Sequence, residues 1–166
     1  MVASVSKSLK ARNLYLASVS ITGLILVIVG FVSLPTYDPL PIFLLLILLA
    51  VAAQITSTLL VSGNVIVEVS TAVSLATVAL FGFRAAIIVA AFALGTLTIT
   101  SLQKNWTGWK GAVERLGFNV GMSTIAIFFA GLTFEWLTVL FANNAILGAT
   151  LPWIIASIIN DQVNLW

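Results

Sequence analysis

Long apolar runs separated by short polar or proline-containing turns dominate the sequence. The hydrocarbon core of a bilayer is about 30 Å thick, and a helix needs about 20 apolar residues to cross it. Apolar runs close to this length therefore predict transmembrane helices. We predict six spans, at residues 14–34, 42–61, 65–81, 85–102, 116–137 and 145–163.

Two of these spans have ambiguous limits. The third opens on a β-branched stretch at residues 65–69 that would suit a strand. A lone strand leaves backbone groups unpaired in lipid, which favours a helix. The sixth span is interrupted early by Pro152 and ends close to Trp166. Either this helix stops at the membrane surface, or the chain is part of a longer protein, and the sequence leaves both readings open.

Composition supports a membrane setting. Hydrophobic residues make up 61% of the chain and charged residues only 7%, whereas a soluble domain carries about 25% charged residues. So few charges cannot cover a water-facing surface. We therefore expect an all-α, polytopic bundle over residues 14–166, preceded by a polar segment at residues 1–13, with no separate catalytic domain.

The basic residues predict the orientation of the bundle. With six spans, one side carries six basic residues and the other only Arg84. Basic residues concentrate on the cytoplasmic side of membrane proteins, so the N-terminus is predicted to be cytoplasmic. Tryptophan beside basic residues is typical of the headgroup layer. The predicted polar loop 103–115 is therefore assigned to the cytoplasmic interface through Lys104, Trp106, Trp109, Lys110 and Arg115.

Polar side chains inside the spans are candidates for a ligand site. Glu68 lies near the start of the third span, where a carboxylate facing lipid is costly. It could be a ligand or proton site, or an interfacial ion pair. Gln54, Ser70 and Asn119 could join Glu68 in a polar pocket, or could form hydrogen bonds between helices. Arg84 and Glu135 are expected to pair at the opposite face.

Two small-residue motifs indicate close helix packing. Gly117 and Gly121 form a GxxxG, and Ala91 and Gly95 form a similar spacing in the preceding span. Small residues let helix backbones approach in membranes. We expect the fourth and fifth spans to pack tightly, within the chain or against a partner.

Enzyme chemistry has little support in the sequence. The chain has no cysteine and no histidine, which removes thiolate nucleophiles and the commonest metal ligand. There is no nucleophile elbow, no HExxH and no phosphate-binding glycine loop. We predict a protein that is not an enzyme and has no cofactor or metal. Bound lipid is the one small ligand expected.

Part of the chain resembles a known kind of domain. The stretch 62–72 leads through an apolar run to Phe81-Gly82, and a basic loop then leads to Phe118-Asn119. This order resembles the membrane-embedded N-terminal domains of bacterial HD-type phosphohydrolase and GGDEF proteins, from about residue 61 onward. That resemblance implies a signal-input or anchoring module. The layout also resembles the substrate-binding components of energy-coupling-factor transporters, which implies binding of a small molecule.

These observations leave three functional hypotheses. The first is a non-enzymatic sensory, input or anchoring module of the bacterial inner (plasma) membrane. The second is an accessory subunit of a larger membrane complex, and the third is a small-molecule-binding transporter component. The expected partners are membrane lipid and other membrane subunits or a second copy of the chain. The few basic residues are read as a topology signal, so nucleic acid is not expected.

Overall fold

The computed structural model describes residues 2–34, 37–59, 69–104 and 108–164. These residues form six helices and confirm the all-α class. The helices are α1 (Val2–Val32), α2 (Leu40–Leu59), α3 (Val69–Phe81), α4 (Phe83–Lys104), α5 (Gly108–Leu140) and α6 (Ala145–Asn164).

Four of the helices are long and apolar enough to cross a membrane. The qualifying segments are Lys10–Val32, Phe83–Thr100, Gly108–Leu140 and Ala145–Val163. The apolar parts of α2 and α3 are shorter. The 13 residues of α3 rise about 20 Å, less than the thickness of a hydrocarbon core. The helices are thus those of an integral membrane protein, while the number of crossings stays a prediction.

The helix limits differ from the predicted ones in two places. The sequence predicts the first span at residues 14–34 after a polar segment at residues 1–13, and α1 includes most of that segment because it begins at Val2. The loop 103–115 is also largely helical, because α4 continues to Lys104 and α5 begins at Gly108. Trp109, Lys110 and Arg115 therefore lie in the first turns of α5. Ala112, Glu114 and Arg115 in this stretch are good helix formers, which explains why a stretch of polar composition is helical.

The centre of the bundle is the antiparallel pair α4 and α5. Phe83, at the start of α4, packs on Gly131 in the second half of α5. Around this pair, α1 contacts α4 and α5, α2 contacts α3 and α4, and α6 contacts α5 and α3. The result is a layered bundle in which α1 and α6 lie on different sides of α5.

The contact of α1 with α5 depends on glycine. A Cβ added to Gly121 would lie 2.6 Å from the carbonyl oxygen of Val19, and one added to Gly117 would lie 2.9 Å from the Ser20 hydroxyl. Gly23 faces the Cα of Gly121. The sequence predicts that the fourth and fifth spans pack tightly, within the chain or against a partner, and α4 and α5 do contact each other. Gly117 and Gly121 lie against Ser20 and Val19 of α1, which runs parallel to α5.

The opposite end of the bundle is closed by a glycine turn and aromatic rings. Gly82, with a φ of 82°, joins α3 to α4 alone. Its left-handed conformation suits a residue without a Cβ. Tyr37 packs on Phe43, with ring centroids 4.9 Å apart, and Phe43 packs on Phe81 at 5.8 Å. These rings join the end of α3 to the start of α2.

The helix α6 continues through Pro152. The sequence predicted an interruption here because proline removes a backbone donor. Neighbouring helices can compensate for this loss in membrane proteins. Pro152 is fully buried, and Trp153 packs on Phe134 of α5 with ring centroids 5.1 Å apart. Tertiary packing therefore holds the proline within the helix.

The glycine contact predicts a specific loss of stability. Gly121→Leu should force α1 away from α5, because the added side chain meets the backbone of Val19. Overpacking of this kind costs about 1–3 kcal/mol. We expect a lower melting temperature in detergent, measured by circular dichroism.

The matched control is Gly95→Leu, since a Cβ at Gly95 comes no closer than 3.9 Å to Val120. This variant should melt near the wild-type temperature. Equal melting of Gly121→Leu and the wild type would contradict the assigned role of Gly121.

Candidate functional site

Two of the candidate polar residues bond directly to each other. The Ser70 hydroxyl donates a hydrogen bond to Oε1 of Gln54, and both side chains are buried. The bond joins α2 to α3. An apolar surrounding makes an unpaired polar group costly, so this contact fixes how the two helices meet.

A second polar contact joins α4 to α5. Nδ2 of Asn119 donates to the Thr98 hydroxyl at 3.1 Å. The Thr98 hydroxyl in turn donates to the Leu94 carbonyl within its own helix at 2.9 Å. The polar candidates therefore form two helix–helix contacts, one between α2 and α3 and the other between α4 and α5.

Other buried hydroxyls bond within their own helices. Ser74 donates to the Ser70 carbonyl at 3.0 Å, and Thr77 donates to the Val73 carbonyl at 2.8 Å. This bond to the preceding turn is the usual way in which Ser and Thr are accommodated in apolar helices. Most buried polar groups named here thus have structural partners.

Asn160 is different, because its side-chain oxygen has no hydrogen-bond partner although the residue is only 2% exposed. It lies in α6, one turn after Ala156, which belongs to the same hydrophobic cluster as Ile127 of α5. The next residue, Asp161, is exposed. A buried carbonyl oxygen without a donor is uncommon in folded proteins.

A cavity of about 390 Å³ lies between α1, α4 and α5. All four residues assigned to helix packing from the sequence, Ala91, Gly95, Gly117 and Gly121, line it. Small side chains therefore create space here as well as contact. The other lining residues are Ser20, Leu24, Val27, Ile99, Val113, Leu116 and Val120.

Basic side chains lie at one end of this bundle. Lys110 and Arg115 are exposed in the first turns of α5. Lys10 and Arg12 are exposed near the start of α1, which runs parallel to α5. Trp109 is 78% exposed beside them. Lys104 ends α4, whereas Glu68 and Trp106 lie outside the described residues.

Arg84 and Glu135 were expected to pair with each other, but the contacts found for both are with Phe83. A carboxylate oxygen of Glu135 accepts a hydrogen bond from the backbone N–H of Phe83 at 3.1 Å. The Arg84 guanidinium lies 5.8 Å from the centre of the Phe83 ring, which is within the range of a cation–π contact. Both charged groups therefore contact Phe83, at the start of α4.

Tyr37 is a buried titratable group beside this end. Its hydroxyl donates to the Gly30 carbonyl at 3.0 Å. Burial raises the pKa of Tyr37, while Ser33 and the positive charge of Arg84 act in the lowering direction. The hydroxyl thus stays protonated at neutral pH and fixes the turn between α1 and α2.

The described residues contain no cluster of metal-binding side chains. No group of three or more His, Cys, Asp or Glu side chains within them could hold a metal ion. The absence of a metal or cofactor in the functional protein stays a prediction.

Comparison with known proteins gives no match to a family model, a curated protein or a solved structure. The resemblances to signal-input domains and to transporter components therefore remain predictions from the sequence.

The sequence analysis did not identify the residues of α1 that pack against α4 and α5. Ser20 and Gly23 contact the GxxxG of α5, and Gly30 contacts α4 near Arg84. The spacing of Gly23 and Gly30 by seven residues places both on one helix face and could have indicated this packing. For Asn160, no sequence pattern distinguishes a buried amide from one at a helix end.

The hydrogen bond of Ser70 to Gln54 can be tested by a double-mutant cycle. Gln54→Leu and Ser70→Ala should each lower the free energy of unfolding. The double variant should lose less free energy than the sum of the two single losses. Polar contacts in membrane proteins show coupling of about 0.6 kcal/mol, with a maximum near 1.7 kcal/mol. Unfolding in mixed micelles measures each free energy.

Thr56→Val is the matched control, because the exposed Thr56 hydroxyl bonds to the Ala52 carbonyl of its own helix. Its effect should be additive with Ser70→Ala. Additive losses for Gln54→Leu and Ser70→Ala would show that the two side chains do not stabilise each other.

Proposed function

We propose that the chain is a non-enzymatic membrane module of the signal-input or anchoring type. The observation that supports this role is that the candidate residues Gln54, Ser70 and Asn119 form hydrogen bonds between helices, Gln54 with Ser70 and Asn119 with Thr98. Polar groups arranged in this way link neighbouring helices. They do not form the open, convergent set of donors and acceptors that a polar substrate requires.

The two long parallel helices support the same role. The 33 residues of α5 rise about 50 Å, well beyond a hydrocarbon core of about 30 Å. The 31 residues of α1 rise about 46 Å. Their glycine contacts hold them together, and both carry basic residues at the same end. A displacement of one helix would therefore be transmitted to the other across the membrane.

For the topology, we propose six crossings of the bacterial inner membrane with the N-terminus in the cytoplasm. The basic residues of α1 and α5 then face the cytoplasm, and Arg84 faces the outside. This arrangement would place the extended ends of both helices on the side where a soluble output domain could receive a signal.

The chain has no native cysteine, so single cysteines can test this topology. Asp38→Cys should react with a membrane-impermeant maleimide in intact cells. Arg12→Cys should react only after the inner membrane has been opened. Labelling is read as a gel shift, and the reversed pattern would contradict the proposed orientation.

A second candidate function is an accessory subunit, and Asp161 favours it. Trp153 packs on Phe134, and Ala156 belongs to the same buried cluster as Ile127, so α6 runs antiparallel to α5. Continued along α6, this places Asp161 near the level of Ser123, within the predicted span 116–137. An exposed carboxylate there would face lipid at considerable cost unless a neighbouring protein supplied a donor. A transporter component has less support, because the cavity lining is almost entirely apolar.

The three functions can be separated with the full chain extracted in native lipid particles. An input or anchoring module should carry neither a stoichiometric membrane subunit nor a retained polar small molecule. Quantitative proteomics and extraction of bound small molecules measure these two quantities. A partner recovered at fixed stoichiometry, and lost in Asp161→Leu, would establish the accessory subunit instead. A retained polar ligand would favour the transporter component.

A further inference from the structure

The cavity between α1, α4 and α5 is a groove that is partly open to the surroundings of the bundle. It is closed where α1 meets α4, since a Cβ on Gly30 would lie 2.9 Å from the Arg84 carbonyl oxygen. Phe31 and Phe92 also pack there, with ring centroids 6.3 Å apart. The lining begins just beyond this contact, at Val27 and Ala91, and continues toward the basic end.

The groove has the size and lining of a site for a hydrocarbon chain. Its volume of about 390 Å³ falls in the range of about 300–1,000 Å³ found for ligand pockets. From Gly121 to Val113 the lining follows α5 for about 12 Å. Leu24, Ile99 and Val113 are each more than half exposed, so the groove opens toward the lipid around the bundle.

Lys110 lies on α5 about one turn before Val113, the lining residue nearest to the start of that helix. Helical periodicity places Lys110 on the same face of α5 as Val113 and Gly117, three and seven residues further on. Lys110 is exposed. Trp109 shares its face with Val113 and Leu116 in the same way, and exposed tryptophan marks the headgroup layer of a membrane. The apolar groove is thus followed, toward the start of α5, by the positive charge of Lys110 and the aromatic ring of Trp109.

The charge around this end complements an anion. Among the described side chains of α1 and of the first two turns of α5, four are basic and one, Glu114, is acidic. Electrostatic attraction between basic residues and anionic lipids is worth about 1 kcal/mol for each Lys or Arg near the surface. A zwitterionic headgroup would gain much less from the same surroundings.

We propose that this groove binds one acyl chain of an anionic phospholipid, with the lipid phosphate held by Lys110. The small residues Ala91, Gly95, Gly117 and Gly121 provide the space for the chain. Trp109 lies at the level of the headgroup. The site is a specific lipid site of this chain and does not depend on whether the protein acts as an input module or as a subunit of a complex.

Native mass spectrometry of the full chain can test this site with phosphatidylglycerol and phosphatidylcholine of identical acyl chains. The wild type should retain one phosphatidylglycerol more strongly than phosphatidylcholine. Lys110→Gln should weaken phosphatidylglycerol binding about fivefold, the loss expected for one basic contact, and leave phosphatidylcholine unchanged. Gly95→Leu should weaken both lipids, because its side chain occupies the groove.

Two control variants make the test specific. Arg115→Gln removes the same charge from the same end of α5, but helical periodicity places Arg115 on the other side of the helix from Lys110, so this variant should weaken phosphatidylglycerol binding clearly less than Lys110→Gln does. Ala145→Leu adds the same side chain as Gly95→Leu at an exposed position and should bind both lipids normally. Equal losses in Arg115→Gln and Lys110→Gln would indicate general surface attraction and would overturn the proposal.

A second measurement uses the wild type and does not depend on variants that fold. Phosphatidylglycerol with a photoreactive group on its acyl chain should label Ile99 or Val113, as mapped by peptide mass spectrometry. Labelling confined to the outer faces of α2 or α6 would contradict the groove as the site. Unchanged lipid binding in a folded Gly95→Leu variant would also overturn it.

Discussion

The close approach of α1 to α5 is the contact on which the rest of the bundle depends. Lipid gives little hydrophobic driving force for helix association, so packing and polar contacts must hold the helices together. Gly23, Gly117 and Gly121 allow two backbones to meet directly. This contact holds α1 against the central pair α4 and α5, and it sets one wall of the groove that follows.

Polar groups complete the bundle where small residues do not. The bonds of Ser70 to Gln54 and of Asn119 to Thr98 join helices that are consecutive in the chain. Each bond removes two polar groups from lipid and specifies how two helices meet. Asn160 and Asp161 stand apart from this scheme, since one is buried without a donor and the other is exposed on α6. Under the proposal of an accessory subunit, the exposed Asp161 is the residue that a neighbouring protein would contact.

The groove formed by helix packing lies close to the basic end of the bundle, so the same contacts that hold the helices together also shape a surface for lipid. The same glycines that let α1 approach α5 leave space beside α4, and Lys110 and Trp109 lie on α5 about one turn before the lining residue Val113. An input module whose long helices contact a lipid directly could respond to the composition of its membrane. In that case the lipid would be part of the functional unit.

The sequence by itself determined the helical class and the membrane setting, because both follow from the length and apolarity of the runs. It also singled out Gly117, Gly121, Gln54, Ser70 and Asn119 as candidates for packing or polar contacts, since glycine and polar residues are few in apolar helices. Only the tertiary structure decided their partners. Periodicity defines a face of one helix, but it does not say which helix covers that face.

The same limit explains why the helix ends differ from the predicted ones and why the sequence left the partner of the GxxxG open. Trp109, Lys110 and Arg115 are residues typical of a polar loop. In the structure they belong to the first turns of α5, which begins before its apolar part. Gly121 could pack on any neighbour, and the choice of α1 over α4 depends on Val19 and Ser20, more than ninety residues earlier in the chain. Such contacts arise from the packing of all the helices at once, and no local pattern encodes them.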